Sequence, residues 1–185
     1  DLFTGKEVAE IPIDLESHEA VALSEQNKVV VTNYGTVDRD GNRIKIINTQ
    51  TNKVEKTIDL KGSITSNGIV AFPGSNKVAV IDYVRNNLLI LNIETASIEK
   101  QIQTQQQQSL LLVLHPNKAI AYVTNIKSNS VSVIDLTKNE VIKIIPCGLG
   151  TESIAITPDG SEIWITNITA NSITIINTAT YAVIA

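Results

Sequence analysis

The segment Asp38-Arg39-Asp40-Gly41-Asn42 sets two carboxylates one residue apart in a glycine-containing turn. Carboxylates at this spacing can point at one hard cation, as in the first part of a calcium loop. The distal glutamate of such a loop is missing, because Asn48 and Thr49 stand where it would be sought. A turn with solvated charges is therefore expected, and no metal site. His18 and His115 are the two histidines of the chain. They fall at opposite ends of corresponding strands, about a strand length apart, and are not expected to share a metal through direct bonds. His115 lies in a turn beside Pro116 and is expected at the surface. Cys147 is the single cysteine, which rules out an internal disulfide and a thiolate cluster. A reactive thiol wants an electropositive neighbourhood, and no basic residue follows Cys147 closely, so a small residue near a strand end is expected. There is no Gly-x-Ser-x-Gly and no paired cysteine. No catalytic residue, metal or cofactor is assigned within this stretch.

The elements that position these side chains follow from an internal repeat. Ile46-Ile47-Asn48-Thr49, Ile90-Leu91-Asn92-Ile93, Val133-Ile134-Asp135-Leu136 and Ile175-Ile176-Asn177-Thr178 share one pattern. Counted from Thr49 to Ile93, Leu136 and Thr178, the copies are 44, 43 and 42 positions apart. A period of this length marks a repeat architecture. Val and Ile carry the apolar content, and β-branched residues favour strands.

The third full copy shows what one period builds. Leu110-Leu111-Leu112-Val113-Leu114 is a short continuous apolar run, which suits a strand buried on both faces. His115-Pro116-Asn117-Lys118 is a turn, and residues 119–125 are the second strand. A polar turn at 127–129 leads to the alternating strand 130–135, as a half-buried strand should alternate. Residues 137–140 turn again into the fourth strand, 141–145. Four short antiparallel strands per period make one propeller blade. The second strands end in Asn33, Asp82, Asn125 and Asn167. A short side chain of this kind can bond nearby backbone groups and shape the turn into the third strand. Asn167-Ile168-Thr169 is formally a glycosylation acceptor, but Asn167 occupies this structural column. Trp164 takes the slot held by Tyr122 in the previous copy and is expected to pack between blades.

Tyr122-Val123-Thr124-Asn125 matches the signature of the YVTN-type β-propeller repeat. The Thr157-Pro158-Asp159-Gly160 turn, Val133-Ile134-Asp135 and the following Thr137-Lys138-Asn139-Glu140 match it as well. The chain resembles this family over nearly its whole length, with Val80-Ile81-Asp82 and Ile163-Trp164-Ile165-Thr166-Asn167 departing at one or two positions. The resemblance implies an all-β propeller of four-stranded antiparallel blades, in a ring that is mostly seven-bladed. It also implies a surface-layer or periplasmic, hence extracytoplasmic, setting and an absence of known enzymatic activity. Related propeller enzymes, lactonase-like or dehydrogenase-like, carry out their chemistry with histidine clusters or a second subunit. Active residues outside this segment would make the chain part of such an enzyme, which is the alternative reading.

The blades are expected at 14–60, 61–103, 104–146 and 147–185, with 1–13 the outer strand of a preceding blade. Residues 4–11 align with 51–58 and so form that outer strand. A seven-bladed ring at this period needs roughly 300 residues, so the chain is expected to be a segment of a larger propeller. A closed four-bladed ring, with 1–13 completing a shared blade, is the competing closure. An open arc leaves apolar blade faces bare, to be covered by missing blades or another copy of the chain.

A formal net charge of −4 argues against a broad nucleic-acid footprint, which wants clustered Lys and Arg. No apolar run of about 18 residues occurs, so no helical membrane span is expected. Partners are therefore sought on one loop face: a protein, or a glycan or small-molecule ligand. The links into each first strand, at 14–18, 61–67, 104–109 and 148–152, lie there with the turns between second and third strands. One column of these links repeats a hydroxyl, at Ser17, Ser66, Ser109 and Thr151, and suits a backbone donor at the strand start. The next column, His18, Asn67, Leu110 and Glu152, varies as ligand-facing positions or tolerant surface do. Residues 34–43 form a long insertion with Asp38, Arg39, Asp40 and Arg43, and a protruding loop is a ready contact surface. Arg85 and Asn86 belong to the equivalent turn of the next blade. Arg39, Arg43 and Arg85 together could make a small cationic corner, a third reading that points to nucleic acid.

Overall fold

A computed structural model describes residues 3–13, 17–34, 43–60 and 66–185. Its strands form four antiparallel sheets in chain order. The first holds β1 (Ser17–Leu23), β2 (Lys28–Asn33), β3 (Arg43–Asn48) and β4 (Lys53–Asp59). The second holds β5 (Ser66–Ala71), β6 (Lys77–Asp82), β7 (Asn87–Asn92) and β8 (Ser97–Gln103). The third holds β9 (Ser109–Leu114), β10 (Ile120–Asn125), β11 (Ser130–Asp135) and β12 (Glu140–Pro146). The fourth holds β13 (Thr151–Ile156), β14 (Glu162–Asn167) and β15 (Ser172–Asn177). Each sheet is a meander, and the first strands are neighbours: β1 touches β5, β5 touches β9 and β9 touches β13. The sheets are thus blades of a β-propeller, with the first strand of each on the inside. Among the described residues no helix is long and apolar enough to cross a membrane.

Strand alternation explains why the blades stack. Successive side chains of a strand point to opposite faces, so a central strand flanked by two blades must be apolar on both. Val78 and Val80 of β6 join Val30, Ile44 and Ile46 in a core between the first and second blades. Ala79 and Ile81, the alternate residues of β6, join Leu112, Ala121, Val123 and Ile134 in a core between the second and third. Tyr122, Val131 and Val133 join Ile163, Ile165 and Ile176 between the third and fourth. No blade has a core of its own; each core belongs to a pair of neighbours.

The repeated Asn or Asp at the end of each third strand has one local task. The side-chain oxygen of Asn48 accepts from the amides of Gln50 and Thr51. Asn92 does so for Glu94 and Thr95, Asp135 for Thr137 and Lys138, and Asn177 for Ala179 and Thr180. Each is an Asx-turn that sends the chain into the fourth strand.

Three expectations change. Residues 4–11 form no strand and are mostly exposed. A fourth strand is held by the third strand beside it, as β3 holds β4, and no described strand pairs with 4–11. Trp164 does not pack between blades: it is 43% exposed on the outer face of the fourth blade, whereas Tyr122 in the same slot is fully buried. His115 is buried rather than at the surface, at 7% exposure. Its ring packs over Gly160 of the next blade, where an added Cβ would stand 2.7 Å from His115 Cε1. The fourth strand of the last blade is rudimentary, an isolated bridge between Ile176 and Val183. It is extended by hydrogen bonds from Ile175 N to Ala185 O and from Asn177 N to Ala182 O.

Candidate functional site

The inner end of every first strand is built the same way. Ser17 pairs with Asn33, Ser66 with Asp82, Ser109 with Asn125 and Thr151 with Asn167. The register then slips, so that two residues of each first strand bulge away from the second. A bulge leaves ladder groups unpaired and re-aims side chains. In three blades a threonine of the second strand closes the gap. Thr32 Oγ1 accepts from Glu19 N at 3.0 Å, Thr124 Oγ1 from Leu111 N at 3.1 Å and Thr166 Oγ1 from Ser153 N at 3.0 Å. Thr32 and Thr124 also donate back to the carbonyls of Glu19 and Leu111. The threonine of the repeat signature thus holds open the distortion that aims the inner side chains.

The second blade departs from this frame. Ile81 replaces the threonine, and Gly68 is the second bulged residue. A Cβ at Gly68 would lie 2.8 Å from Leu111 Cα and 2.9 Å from the Leu110 carbonyl oxygen, so the glycine lets β5 and β9 close on each other. The amide of Ile69 is then taken by the Glu19 carboxylate of the first blade, at 3.0 Å.

The first bulged residues are His18, Asn67, Leu110 and Glu152, the variable column of the sequence. One from each blade, they surround a single cavity of about 290 Å³. Glu19, Tyr34 and Leu111 complete the wall. The rings of His18 and Tyr34 lie 5.2 Å apart, tilted by 32°. Asn67 is fully buried, yet neither its Oδ1 nor its Nδ2 has a hydrogen-bond partner. A buried amide without partners costs free energy, and Asn87 is in the same state. No lysine or arginine is among the described lining residues.

The other predicted residues stand apart from this cavity or outside the described residues. Asp38, Arg39 and Asp40 lie outside them, so the calcium-like turn and one member of the cationic corner have no structural account. Arg43 opens β3 and is exposed. Arg85 faces its own blade's Asp82, at 3.5 Å between the guanidinium and the carboxylate. Asn86 has backbone φ of +55° and clips two blades together: its Oδ1 accepts from Ser109 N at 3.2 Å and its carbonyl from Thr104 N at 3.0 Å. Asn129 repeats the clip for Gly150 and Cys147 in the next blade.

Column alignment does not find Glu19 or Tyr34. Glu19 is the second bulged residue of its strand, and Tyr34 follows directly on β2 and opens the 34–43 insertion. The hydroxyl column also differs from expectation. Ser109 Oγ donates to Asn125 Oδ1 at 2.8 Å, and Thr151 Oγ1 to the Gly148 carbonyl at 2.9 Å. Ser66 Oγ bridges the backbone of Asn33, in the preceding blade. The hydroxyls of Ser109 and Ser66 thus join strands and blades, whereas that of Thr151 stays local to the start of its own strand. Asn125 likewise reaches beyond its turn: its Nδ2 donates to Ser132 Oγ at 3.0 Å.

Burial pushes the Cys147 thiol up to about 11, far from the thiolate a nucleophile needs. Burial likewise pushes the Tyr122 phenol up to about 12. Asp159 is held down to about 2, chiefly by the Thr157 hydroxyl, in an exposed turn. Among the described residues, no three His, Cys, Asp or Glu side chains are grouped to hold a metal ion.

Comparison with known proteins places the fold and nothing finer. No family model matches the chain, and no curated protein matches it. Solved structures do, in 1214 chains, so the architecture is too widely shared to select a function. Hydrazine synthase of Kuenenia stuttgartiensis, a propeller-containing protein, aligns with a TM-score of 0.76 at 17% identity. The alignment covers 86% of this chain and 45% of that one, so the chain spans less than half the length of this structural neighbour. At this identity the likeness is one of fold alone.

Proposed function

We propose that the chain is a non-catalytic binding scaffold of the YVTN propeller type, working outside the cytoplasm as part of a larger ring. Its ligand enters the cavity at the inner ends of the first strands. One observation carries this reading: the first bulged residues of the four blades, His18, Asn67, Leu110 and Glu152, differ from one another and meet around a common space. The surrounding frame of Thr32, Thr124 and Thr166 holds the wall still, and a rigid wall lowers the ordering cost of binding.

The experiment is a ligand screen on the full chain by two-dimensional NMR, with the same hits added to a Leu110→Trp variant that fills the cavity. The expected result is a set of ligands that shift the amides of Asn67, Leu110 and Glu152 and lose that effect in the variant. Hits that shift only Arg43 and Arg85, or turnover of a hit by the purified chain, would overturn the reading.

A further inference from the structure

We propose that a second copy of the chain stacks head to tail on this one, the fourth blade of each against the first blade of the other. The inference rests on the larger ring of the binding reading and names what completes it. The chain does not close on itself, since β1 and β13 do not pack as β1 and β5 do. Its two end faces are the two halves of one blade joint. Between the third and fourth blades, Tyr122 shares a core with the cross-strand pairs Ile154 with Ile165 and Ile156 with Ile163. The same rows of the first blade hold Ala20 with Val31 and Ala22 with Val29. No other blade has alanine at both first-strand positions: the second has Ile69 and Ala71, the third Leu112 and Leu114. Both first-blade alanines are exposed. At the other end Trp164, the largest residue in the slot of Val30, Ala79 and Tyr122, is exposed beside Ile173. The bulkiest side chain of one column thus belongs to the face that would meet the smallest pair of the other, as close packing asks. The Trp164 N–H already donates to Glu162 Oε2 at 3.0 Å, so burying the indole orphans no donor. Lys45 stands on the first-blade face in the row of Leu89. Its ammonium reaches Thr57 Oγ1 at 3.1 Å, so an apolar stem crosses the face.

The N-terminal segment points to the same joint. Gly5 has φ of +64°, and the residues at the turn into each fourth strand, Asn52, Ala96, Asn139 and Tyr181, have φ of +53°, +52°, +59° and +59°. Lys6 N donates to Thr4 Oγ1, as Ala182 N donates to Thr180 Oγ1. The segment is shaped to enter a fourth strand, with no described third strand beside it. In register with that turn, Ile11 takes the row of Ile58, Ile102 and Ile145, which are 2%, 3% and 3% exposed. The fourth blade has no described residue in this row. Its residues 182–185 meet β15 at 175–177, and Ser172 and Ile173 stay exposed. Residues 10–12 of the second copy fill that edge, with Ile11 opposite Ile173, and its first blade then covers Trp164. Two arcs of four blades give eight, within the range of about four to eight that propellers adopt, and a head-to-tail contact that closes makes a ring.

The test is sedimentation of the full chain from nanomolar to high micromolar concentration, read together with the fluorescence of Trp164, its one tryptophan. A dimer of the 20.0 kDa chain is expected at the upper end, with Trp164 emission shifted to the blue and shielded from acrylamide. At the lower end, where urea unfolding reads the single arc, Trp164 is a surface residue. Trp164→Asp and Ala20→Asp are each expected to weaken the dimer by about a hundredfold or more. Neither is expected to change the melting temperature of the dilute chain, since both positions are exposed there. Mixed, the two variants are expected to associate more tightly than either alone, because one joint of the ring is restored. Ile11→Asp is expected to weaken the dimer by about tenfold or more. A dimer that survives Ala20→Asp would be back to back through Trp164 and would overturn the proposal. So would open filaments, or a monomer at every concentration. Ligand shifts at Asn67, Leu110 and Glu152 in such a monomer would leave the binding reading standing. A dimer indifferent to Ile11→Asp would remove residues 10–12 from the joint.

Discussion

The third and fourth blades are built on nearly the same sequence pattern and end in different physical states. Tyr122 and Trp164 hold one slot in β10 and β14, yet the first is sealed and the second is 43% exposed. Thr124 and Thr166 close the same bulge, but Thr124 both accepts from and donates to Leu111, whereas Thr166 accepts from Ser153 alone. The third blade has a neighbour on each side, and the fourth has one. Ile154, Trp164 and Ile173 instead line a shallow apolar groove on the uncovered side. A slot in a propeller blade is therefore core or surface according to what stands beside it, whatever residue fills it.

The sharpest way to break this comparison is to empty the slot in each blade. Tyr122→Ala is expected to cost about 3–5 kcal/mol, as deletion of a buried aromatic does. Trp164→Ala is expected to cost less than about 1 kcal/mol, as surface changes do. Urea unfolding of the two variants measures both, and equal losses would show that the outer face of the fourth blade is covered in solution.

The bulge threonines give a smaller contrast. Thr124→Val leaves the amide and carbonyl of Leu111 unmet inside the stack, an expected loss of about 1–3 kcal/mol. Thr166→Val strips one bond from an exposed position and is expected to cost less. The same urea series, with hydrogen exchange at Leu111 and Ser153, reads the difference blade by blade. If Thr124→Val left the Leu111 amide as protected as before, the hydroxyl would not be what closes the bulge.

The smallest effect is a pH dependence seated between these two blades. Desolvation first, and the Lys118 charge second, push His115 below the ordinary histidine range. Its Nδ1 accepts from Asn117 N at 3.0 Å, a bond the protonated ring loses. A depressed histidine binds its proton better in the unfolded chain, so its stabilisation is whole above about pH 6.5. It is lost as pH falls through that value toward the folded-state pKa. Urea midpoints at pH 7.5 and 5.0 are expected to fall in that order, and His115→Gln is expected to shrink the difference. An unchanged difference would place the titration elsewhere.

Much of the frame is legible in the residue order. The twofold alternation of a strand, at a rise of about 3.3 Å per residue, makes a central strand such as Leu88-Leu89-Ile90-Leu91 easy to see as an unbroken apolar run. The Asx-turns after Asn48, Asn92, Asp135 and Asn177 are local bonds between near neighbours. The variable column is visible as well. What stays hidden are relations between blades. A turn beside proline gives His115 the look of a surface residue, because it carries no sign of Gly160, more than 40 positions away. Asn86 reads as a loop-face residue because its bond to Ser109 crosses from one blade to the next. Glu19 escapes notice because its role depends on a bulge and on the amide of Ile69 in another sheet.

Local order along the chain determined the strands, their turns and the four-fold recurrence, because each rests on contacts between residues a few positions apart. Only the stacked structure decided which faces are core and that His18, Asn67, Leu110 and Glu152 share one space. Those outcomes depend on bulges at the inner strand ends and on the close approach of sheets separated by a whole repeat, which no single repeat contains.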